Sequence, residues 1–510
     1  MKRADLFIAV CLAAGAFVLY VRTLAPSLLY GDSAEFQTIT YTLGMGHPTG
    51  YPVYVFVAKL FSFLPLGEIA YRVNLFSAFC AAFTVGLIYV ILRQLGANTI
   101  PSLCGGLAVA LTSTFWKHAT IAEIYTPAVA CLVFIFFSVF RWRETQTPRW
   151  LFIAGIAGGL SLGIHTTVAL GGMAVGLYLI VSTRRREDWI QAGFGAMLGC
   201  IIFLSAFLLL DAINSPVGYY NSVVRFSLST WNLTPADFDS PFERLAFLYF
   251  PPQFRGQFFG VPREEISARL ADFTAGGASS FMLAVLGALS LSQGFPPRAG
   301  FSGWREAWLL GVALLLFLGF ALSYNVYDFS VYYIPVTLIL AIFGALGLHA
   351  AAELIGIAPH MPRLIPLGLS LLFLVVIFFP LVDNVTAQWR ERMPPGLESW
   401  EAYLFSFPEN RKLEAEQTVN RLEDNAILFT DWDRMYGFYY VAHILQERTG
   451  MSFHETYPQE GVTSLADSVI EFIEANVDTR PIYFSERPSQ LSYRYKITSA
   501  GSDLFRIERK

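Results

Sequence analysis

Charge is the scarcest thing in this sequence. Asp, Glu, Lys and Arg together make up 15% of its 510 residues, where a soluble domain usually carries about 25%. A chain this poor in charge lacks the polar surface that a soluble domain of its size needs. The charge present nearly cancels, to a net −4, which argues against a general nucleic-acid binder. Cysteine is scarce as well. All five (Cys11, Cys80, Cys104, Cys131 and Cys200) lie in apolar segments and none forms a CxxC pair. Neither a zinc site nor a disulfide framework is therefore indicated. There is no internal repeat and no low-complexity tract. Met1-Lys2-Arg3 followed by apolar 6–21 has the outline of a signal peptide. A clear small-x-small cleavage site is missing, so an uncleaved first span is expected.

What the chain has instead is apolar length. Hydrophobic residues make up 55% of it and the mean hydropathy is +0.49. Its 45 Phe and 24 Tyr suit lipid-facing walls and interfacial belts. A spanning helix needs about 20 mainly apolar residues, with a range of about 17–25. Eleven segments approach that length: 5–22, 73–93, 100–116, 124–141, 150–164, 167–182, 189–211, 278–294, 306–324, 331–352 and 364–383. The stretch 150–182 is also readable as one kinked helix, but His165-Thr166-Thr167 and several glycines favour two short ones. A further apolar stretch, 51–66, holds Lys59 and two prolines and reads as an interfacial or re-entrant helix.

With the N-terminus cytoplasmic, alternate loops receive Lys2/Arg3, Arg93, Arg141/Arg143/Arg149, Arg184/Arg185/Arg186, Arg298/Arg305 and Arg363. That is the positive-inside pattern at every inner turn. The outer loops are then 23–72, 117–123, 165–166, 212–277 and 325–330, with the C-terminal tail also outside. The expected architecture is a mainly α polytopic membrane module over 1–383, with a first outer loop at 23–72 and a long one at 212–277. A helical connector follows at 384–424, then a small extracytoplasmic α/β domain at 425–510. In that domain strand 426–430, helix 434–448, helix 464–476 and strand 481–484 alternate.

The unusual polar residues gather on the outer face. The first outer loop reads Gly31-Asp32-Ser33-Ala34-Glu35-Phe36, then Gly46-His47-Pro48-Thr49-Gly50-Tyr51-Pro52. Asp32 and Glu35 are three apart and share a face if helical. The alternative is plain capping, with Ser33 as the cap and the carboxylates drawn to the helix's positive end. Trp116-Lys117-His118 and Glu123-Ile124-Tyr125 form the next outer turn, where Glu123 is either functional or an interface marker. His165, mid-way through 150–182, is a functional candidate by default or a hydrogen-bonded core histidine. Asp328 is open to the same two readings, and Arg225 and Arg255 either grip a phosphate or are merely solvated. Together these carboxylates, histidines and cations suit chemistry on a lipid-borne, phosphorylated substrate whose head group sits at the interface.

The two first-loop motifs resemble the GT-C class of polytopic glycosyltransferases. Within it they are similar to the transmembrane protein O-mannosyltransferase branch, formerly described only as a domain of unknown function. The branch pattern is D-x-x-E-F followed by G-H-P-x-G-x-P. Ala122-Glu123-Ile124-Tyr125, Gly163-Ile164-His165-Thr166 and Asn325-Val326-Tyr327-Asp328 extend the likeness over most of 20–350, and it continues at Asn425–Asp433. The resemblance implies an inverting transfer of a sugar, typically mannose, from a polyprenyl-phosphate donor to an extracytoplasmic acceptor. Asp32 would be, or position, the base. Glu35 and Glu123 would orient acceptor or sugar hydroxyls, and His47 and His165 would line the donor pocket. Lys117, His118, Tyr125, Arg225, Arg255 and Asp328 are further substrate-binding candidates. No metal or other cofactor is expected. The expected partners are the lipid-linked donor, membrane lipid and a protein or glycan acceptor, with no nucleic acid. The location is the inner membrane of a bacterium or the endoplasmic reticulum of a eukaryote. The C-terminal domain departs from the family pattern: it lacks the tandem helical repeats of some relatives, which leaves the acceptor open. The rivals from other classes are a transporter of a lipid-linked sugar and a non-catalytic glycan-assembly subunit.

Overall fold

In hydrocarbon a backbone amide finds no water to bond, so apolar segments must satisfy their own hydrogen bonds as helices. The computed structural model describes residues 3–275, 278–294, 301, 303–326, 328–356, 410–457, 464–501 and 503–510. The first part comprises α1 (Arg3–Arg22), α2 (Gly31–Thr42), α3 (Pro52–Ser62), α4 (Ile69–Gln94), α5 (Thr99–Ala110), α6 (Ser113–Ala119) and α7 (Tyr125–Thr145). It continues through α8 (Arg149–Ser161), α9 (Val168–Ser182), α10 (Arg186–Ile213), α11 (Pro241–Tyr249), α12 (Arg263–Ala275), α13 (Ala278–Ser292), α14 (Trp304–Ser323) and α15 (Ile334–Gly356).

The span count is lower than hydropathy alone predicts. Among the described residues six helices are long and apolar enough to cross a membrane: α1, α4, α7, α10, α14 and Phe329–Leu354. A seventh is possible if α5 and α6 act as one, but they are bent by 67° at their junction. Segments 150–164 and 167–182 do form two separate helices, of 13 and 15 residues, with His165 in the turns between them. Segment 278–294 yields the 15-residue α13, and 364–383 lies outside the described residues, as do Arg298 and Arg363. Among the described residues, Arg149–Ser161 and Val168–Ser182 are apolar helices too short to be counted among these six. The stretch at 51–66 forms the single 11-residue helix α3.

Helix α4 is buried along most of its length and forms the centre against which α1, α5 and α7 pack. Helices α8 and α10 pack closely along their length, and glycine permits it. A Cβ on Gly155 would lie 2.4 Å from the Ala192 carbonyl oxygen, and one on Gly195 would lie 2.1 Å from that of Phe152. Gly159 and Gly199 repeat the arrangement one turn on, at 2.5 Å from Cys200 N and 2.4 Å from Ile156 O. This is small-xxx-small packing, backbone against backbone. Gly195→Ala should therefore lower the thermal midpoint by at least the equivalent of ordinary overpacking, about 1–3 kcal/mol. Gly193→Ala, two residues away with nothing within 4 Å, should be neutral or gain up to about 1 kcal/mol of helix propensity. Equal midpoints for the two variants would contradict the packing.

The last part holds α16 (Asn410–Val419), α17 (Trp432–Tyr439) and α18 (Asp467–Asn476), with strands β1 (Ile427–Thr430), β2 (Ser452–Glu455), β3 (Ile482–Phe484), β4 (Tyr495–Gly501) and β5 (Leu504–Arg509). The sheet order is β2-β1-β3-β5-β4, with β2, β1 and β3 parallel and β5 and β4 antiparallel. The expected strands at 426–430 and 481–484 are β1 and β3; β2, β4 and β5 were not anticipated. Ile427 and Phe429 face α18 through Val469 and Ile473, and Phe226 of the long loop joins that cluster. On the other face Leu428, Tyr436 and Tyr439 belong to one apolar cluster with Phe36, Tyr51 and Tyr54 of the first loop. Ala415 and Val419 of α16, from the stretch read as a connector, are part of the same cluster. The small domain is thus seated on α2.

Candidate active site

Helix α2 begins at Gly31, whose φ is +55°. Tyr30 stands at the N-cap position and makes no side-chain cap. Ser33 therefore lies inside the first turn rather than at its cap, and its hydroxyl donates to Glu123 Oε1 at 3.3 Å. That rules against the capping alternative for it. Asp32 and Glu35 do share a face, but their surroundings differ sharply. The Asp32 side chain is 46% exposed and that of Glu35 is 0%. Only the first can meet a substrate.

Glu35 is committed to His47. Its Oε1 accepts the His47 backbone N–H at 2.8 Å, and its Oε2 lies 2.5 Å from His47 Nδ1. The Tyr51 hydroxyl donates to the Pro48 carbonyl at 2.9 Å, so towards His47 Nε2, also at 2.9 Å, it acts as acceptor. Both ring nitrogens then carry protons, and His47 is an imidazolium. Burial works against that charge, but Glu35 and Asp32, the Glu35 hydrogen bond and Glu123 outweigh it and lift the pKa to about 9. Asp32 Oδ2 is 3.9 Å from Nε2. Gly50, at φ +82°, closes the turn carrying His47, where a Cβ would lie 2.9 Å from Leu248.

Glu123 is buried, and its backbone N–H reaches Ser77 Oγ at 3.3 Å. Burial pushes its carboxyl well above the usual range, and the charges of Asp32 and Asp328 push it further. Asp328 is likewise raised by burial, with the Lys117 charge pulling the other way and Asp32 adding to the rise. Asp32, Glu123, Asp328, His47 and Lys117 thus act on one another electrostatically. Below them lies an aromatic floor. Tyr125 meets the rings of His118, His165 and Tyr332 at 5.0, 5.8 and 6.1 Å. His165 Nδ1 accepts the Thr167 backbone N–H at 3.3 Å, which leaves the ring proton on Nε2.

Two predicted residues lie apart from this group. The Arg225 guanidinium stacks over Phe226 and Phe472, 5.3 and 5.5 Å from the ring centres, against the small domain. Arg255 is exposed on the long loop, two residues after Gln253, which donates to the Tyr219 hydroxyl at 3.2 Å. No contact of either with the carboxylates is found among the described residues. Conversely, Trp432 was missed: its Nε1–H donates to Asp32 Oδ1 at 3.0 Å across 400 positions of sequence. Tyr436, whose buried hydroxyl lies 3.5 Å from Ser222 Oγ and feels the Glu35 charge, was missed too. The one pointer to both was the motif likeness around Asn425–Asp433. Among the described residues no group of three or more His, Cys, Asp or Glu is placed to hold a metal ion.

Comparison with known proteins follows this geometry closely. Residues 32–189 match the family model described as the Protein O-mannosyl-transferase TMEM260 N-terminal domain. The matched segment holds Asp32, Glu35, His47, Lys117, His118, Glu123, Tyr125 and His165; Arg225, Arg255, Asp328 and Trp432 lie beyond it. The Protein O-mannosyl-transferase TMEM260 of Mus musculus is 32% identical over 228 residues, 44% of this chain and 31% of that protein. Its counterpart from Dictyostelium discoideum is 21% identical over 227 residues, 41% of this chain and 28% of that protein. The chain thus spans less than a third of the length of these TMEM260 relatives. Over nearly its whole length the fold resembles ArnT from Cupriavidus metallidurans, solved with undecaprenyl phosphate. The TM-score is 0.58 at 13% identity, covering 98% of this chain and 97% of that one. The GT-C-like fold implied by the first-loop motifs is therefore the fold observed.

Proposed function

We propose that this chain is an integral-membrane glycosyltransferase that moves a sugar, mannose in the first instance, from a polyprenyl-phosphate donor to an acceptor hydroxyl with inversion. The carrying observation is Asp32, half exposed beside an imidazolium in a segment matching the TMEM260 N-terminal domain. In this reading the acceptor, in the first instance a protein Ser or Thr, docks its hydroxyl against Asp32. The carboxylate takes the proton as the oxygen attacks the anomeric carbon, and the bond from that carbon to the phosphate oxygen breaks. Negative charge gathers on the departing lipid phosphate, and His47 and Lys117 supply fixed positive charge near it. Glu35 keeps His47 charged and oriented. Glu123, whose carboxyl pKa burial pushes upward, would bond a sugar hydroxyl. Tyr125, Tyr332 and His165 offer an aromatic wall for the sugar ring. No metal is invoked, and the only co-substrate is the lipid-linked donor.

The reaction is tested by giving purified protein polyprenyl-phosphate mannose and following polyprenyl-phosphate release with and without hydroxyl-bearing acceptors. Acceptor-dependent release is expected; its absence with every acceptor would leave the transporter and subunit readings. The proposed active face is the extracytoplasmic one. Single cysteines placed at Tyr30, exposed beside Asp32, and at Ser240 should label from outside intact cells or spheroplasts, whereas one at Arg185 should not. Labelling of Arg185 and Ser240 from the same side would overturn that orientation.

A further inference from the structure

The half-exposed carboxylate at the centre of the site is not held by its own module alone. Indole Nε1–H can only donate, so Trp432 always offers Asp32 Oδ1 a proton, at 3.0 Å. Its ring is fixed on three sides. It meets His47 edge-on at 5.7 Å and 88°, Tyr219 at 5.9 Å and Tyr436 at 5.2 Å. The helix that carries it is anchored as well. Asp431 caps α17 by accepting Arg434 N at 3.1 Å, and Thr38 of α2 donates to the Tyr436 carbonyl at 3.1 Å. Gly31 approaches so closely that a Cβ there would lie 3.3 Å from Asp433 Oδ1. With Oδ1 occupied, Oδ2 is the oxygen left to meet a substrate, on the His47 side.

We infer that Trp432 is a positioning residue for the reacting carboxylate: its indole N–H fixes the Asp32 rotamer and leaves Oδ2 to take the acceptor proton, so the C-terminal domain completes the active site. The catalytic half of this rests on the glycosyl-transfer reading above; the contact itself does not. Its consequence is that the small C-terminal domain acts on the chemistry. Trp432→Phe keeps the ring among His47, Tyr219 and Tyr436 and deletes only the donor. Its kcat should fall about ten-fold while the KM for donor stays near wild type. In an Asp32→Asn background the same change should cost nothing further. Wild-type kcat in Trp432→Phe, or an equal further loss in the Asp32→Asn background, would overturn the inference.

A second measurement needs no activity. In protein labelled with ¹⁵N-tryptophan, the indole resonance missing from Trp432→Phe should shift with pH in wild type and stop shifting in Asp32→Asn. A resonance indifferent to Asp32 overturns the inference whatever the reaction. A resonance that follows Asp32 in a protein that transfers no sugar upholds the contact and counts against the glycosyltransferase reading instead.

Discussion

Asp32→Asn should leave the fold intact and reduce turnover by about 10²–10⁴, the usual share of general base catalysis. The fold survives because the side chain is half exposed and the asparagine amide oxygen still accepts from Trp432. Turnover falls because an amide cannot take the acceptor proton. Were Asp32 only a helix-end residue, asparagine would serve it equally well and both properties would stay at wild type. Melting temperature and sugar transfer measured on one preparation distinguish the two. An Asp32→Asn enzyme with wild-type turnover would remove the central residue from the account.

Glu35→Gln should reverse the balance, with a larger loss of stability and a smaller loss of turnover. Glu35 is buried and bonds His47 through both oxygens; removing one partner of a buried ion pair typically costs about 3–5 kcal/mol. The effect has a predictable pH window. The folded pKa of His47 is raised, to about 9, from an ordinary value of about 6.5. Its charge therefore contributes stability that is fully present below about 6.5, and that contribution is lost as the pH rises through about 9. Glu35 and Asp32 sustain the raised pKa, with a smaller contribution from Glu123, so Glu35→Gln removes most of it. The gap in melting temperature between wild type and Glu35→Gln should be widest near pH 6 to 7 and narrow towards pH 10, to be followed by thermal unfolding at constant salt. A gap that is flat across that range would mean that His47 is uncharged in the native protein.

The contrast between these two carboxylates shows what the sequence could and could not convey. The spacing of Asp32 and Glu35 placed them on one face of a helix, a local feature that is present; that the following turn sets His47 against Glu35 was not legible. Which carboxylate is open and which is sealed depends on Tyr436 and Trp432, brought in from a helix some 400 positions away. No periodicity reports that contact. The capping alternative for Ser33 fails because the helix starts at Gly31 with Tyr30 at the cap position, and three residues of offset make its hydroxyl a donor to Glu123. The glycine pairs 155/159 and 195/199 were visible as spacings, but their meaning appeared only once α8 and α10 lay side by side. Strands β4 and β5 escaped because their segments, Tyr-Lys-Ile-Thr-Ser-Ala-Gly and Leu-Phe-Arg-Ile-Glu-Arg, carry the charge of a solvated sheet margin. Nor did the sequence convey that Arg225 of the long loop stacks on the small domain's Phe472.

The stereochemistry of the transferred sugar tests the central claim most directly. A base-activated hydroxyl that displaces the lipid phosphate in one step must give a product of opposite anomeric configuration to the donor. Mannosylated acceptor made by purified protein from polyprenyl-phosphate mannose should therefore show inverted anomeric carbon–proton coupling by NMR, and the product should disappear with Asp32→Asn. Retained configuration, or inverted product formed at the wild-type rate by Asp32→Asn, would contradict the account.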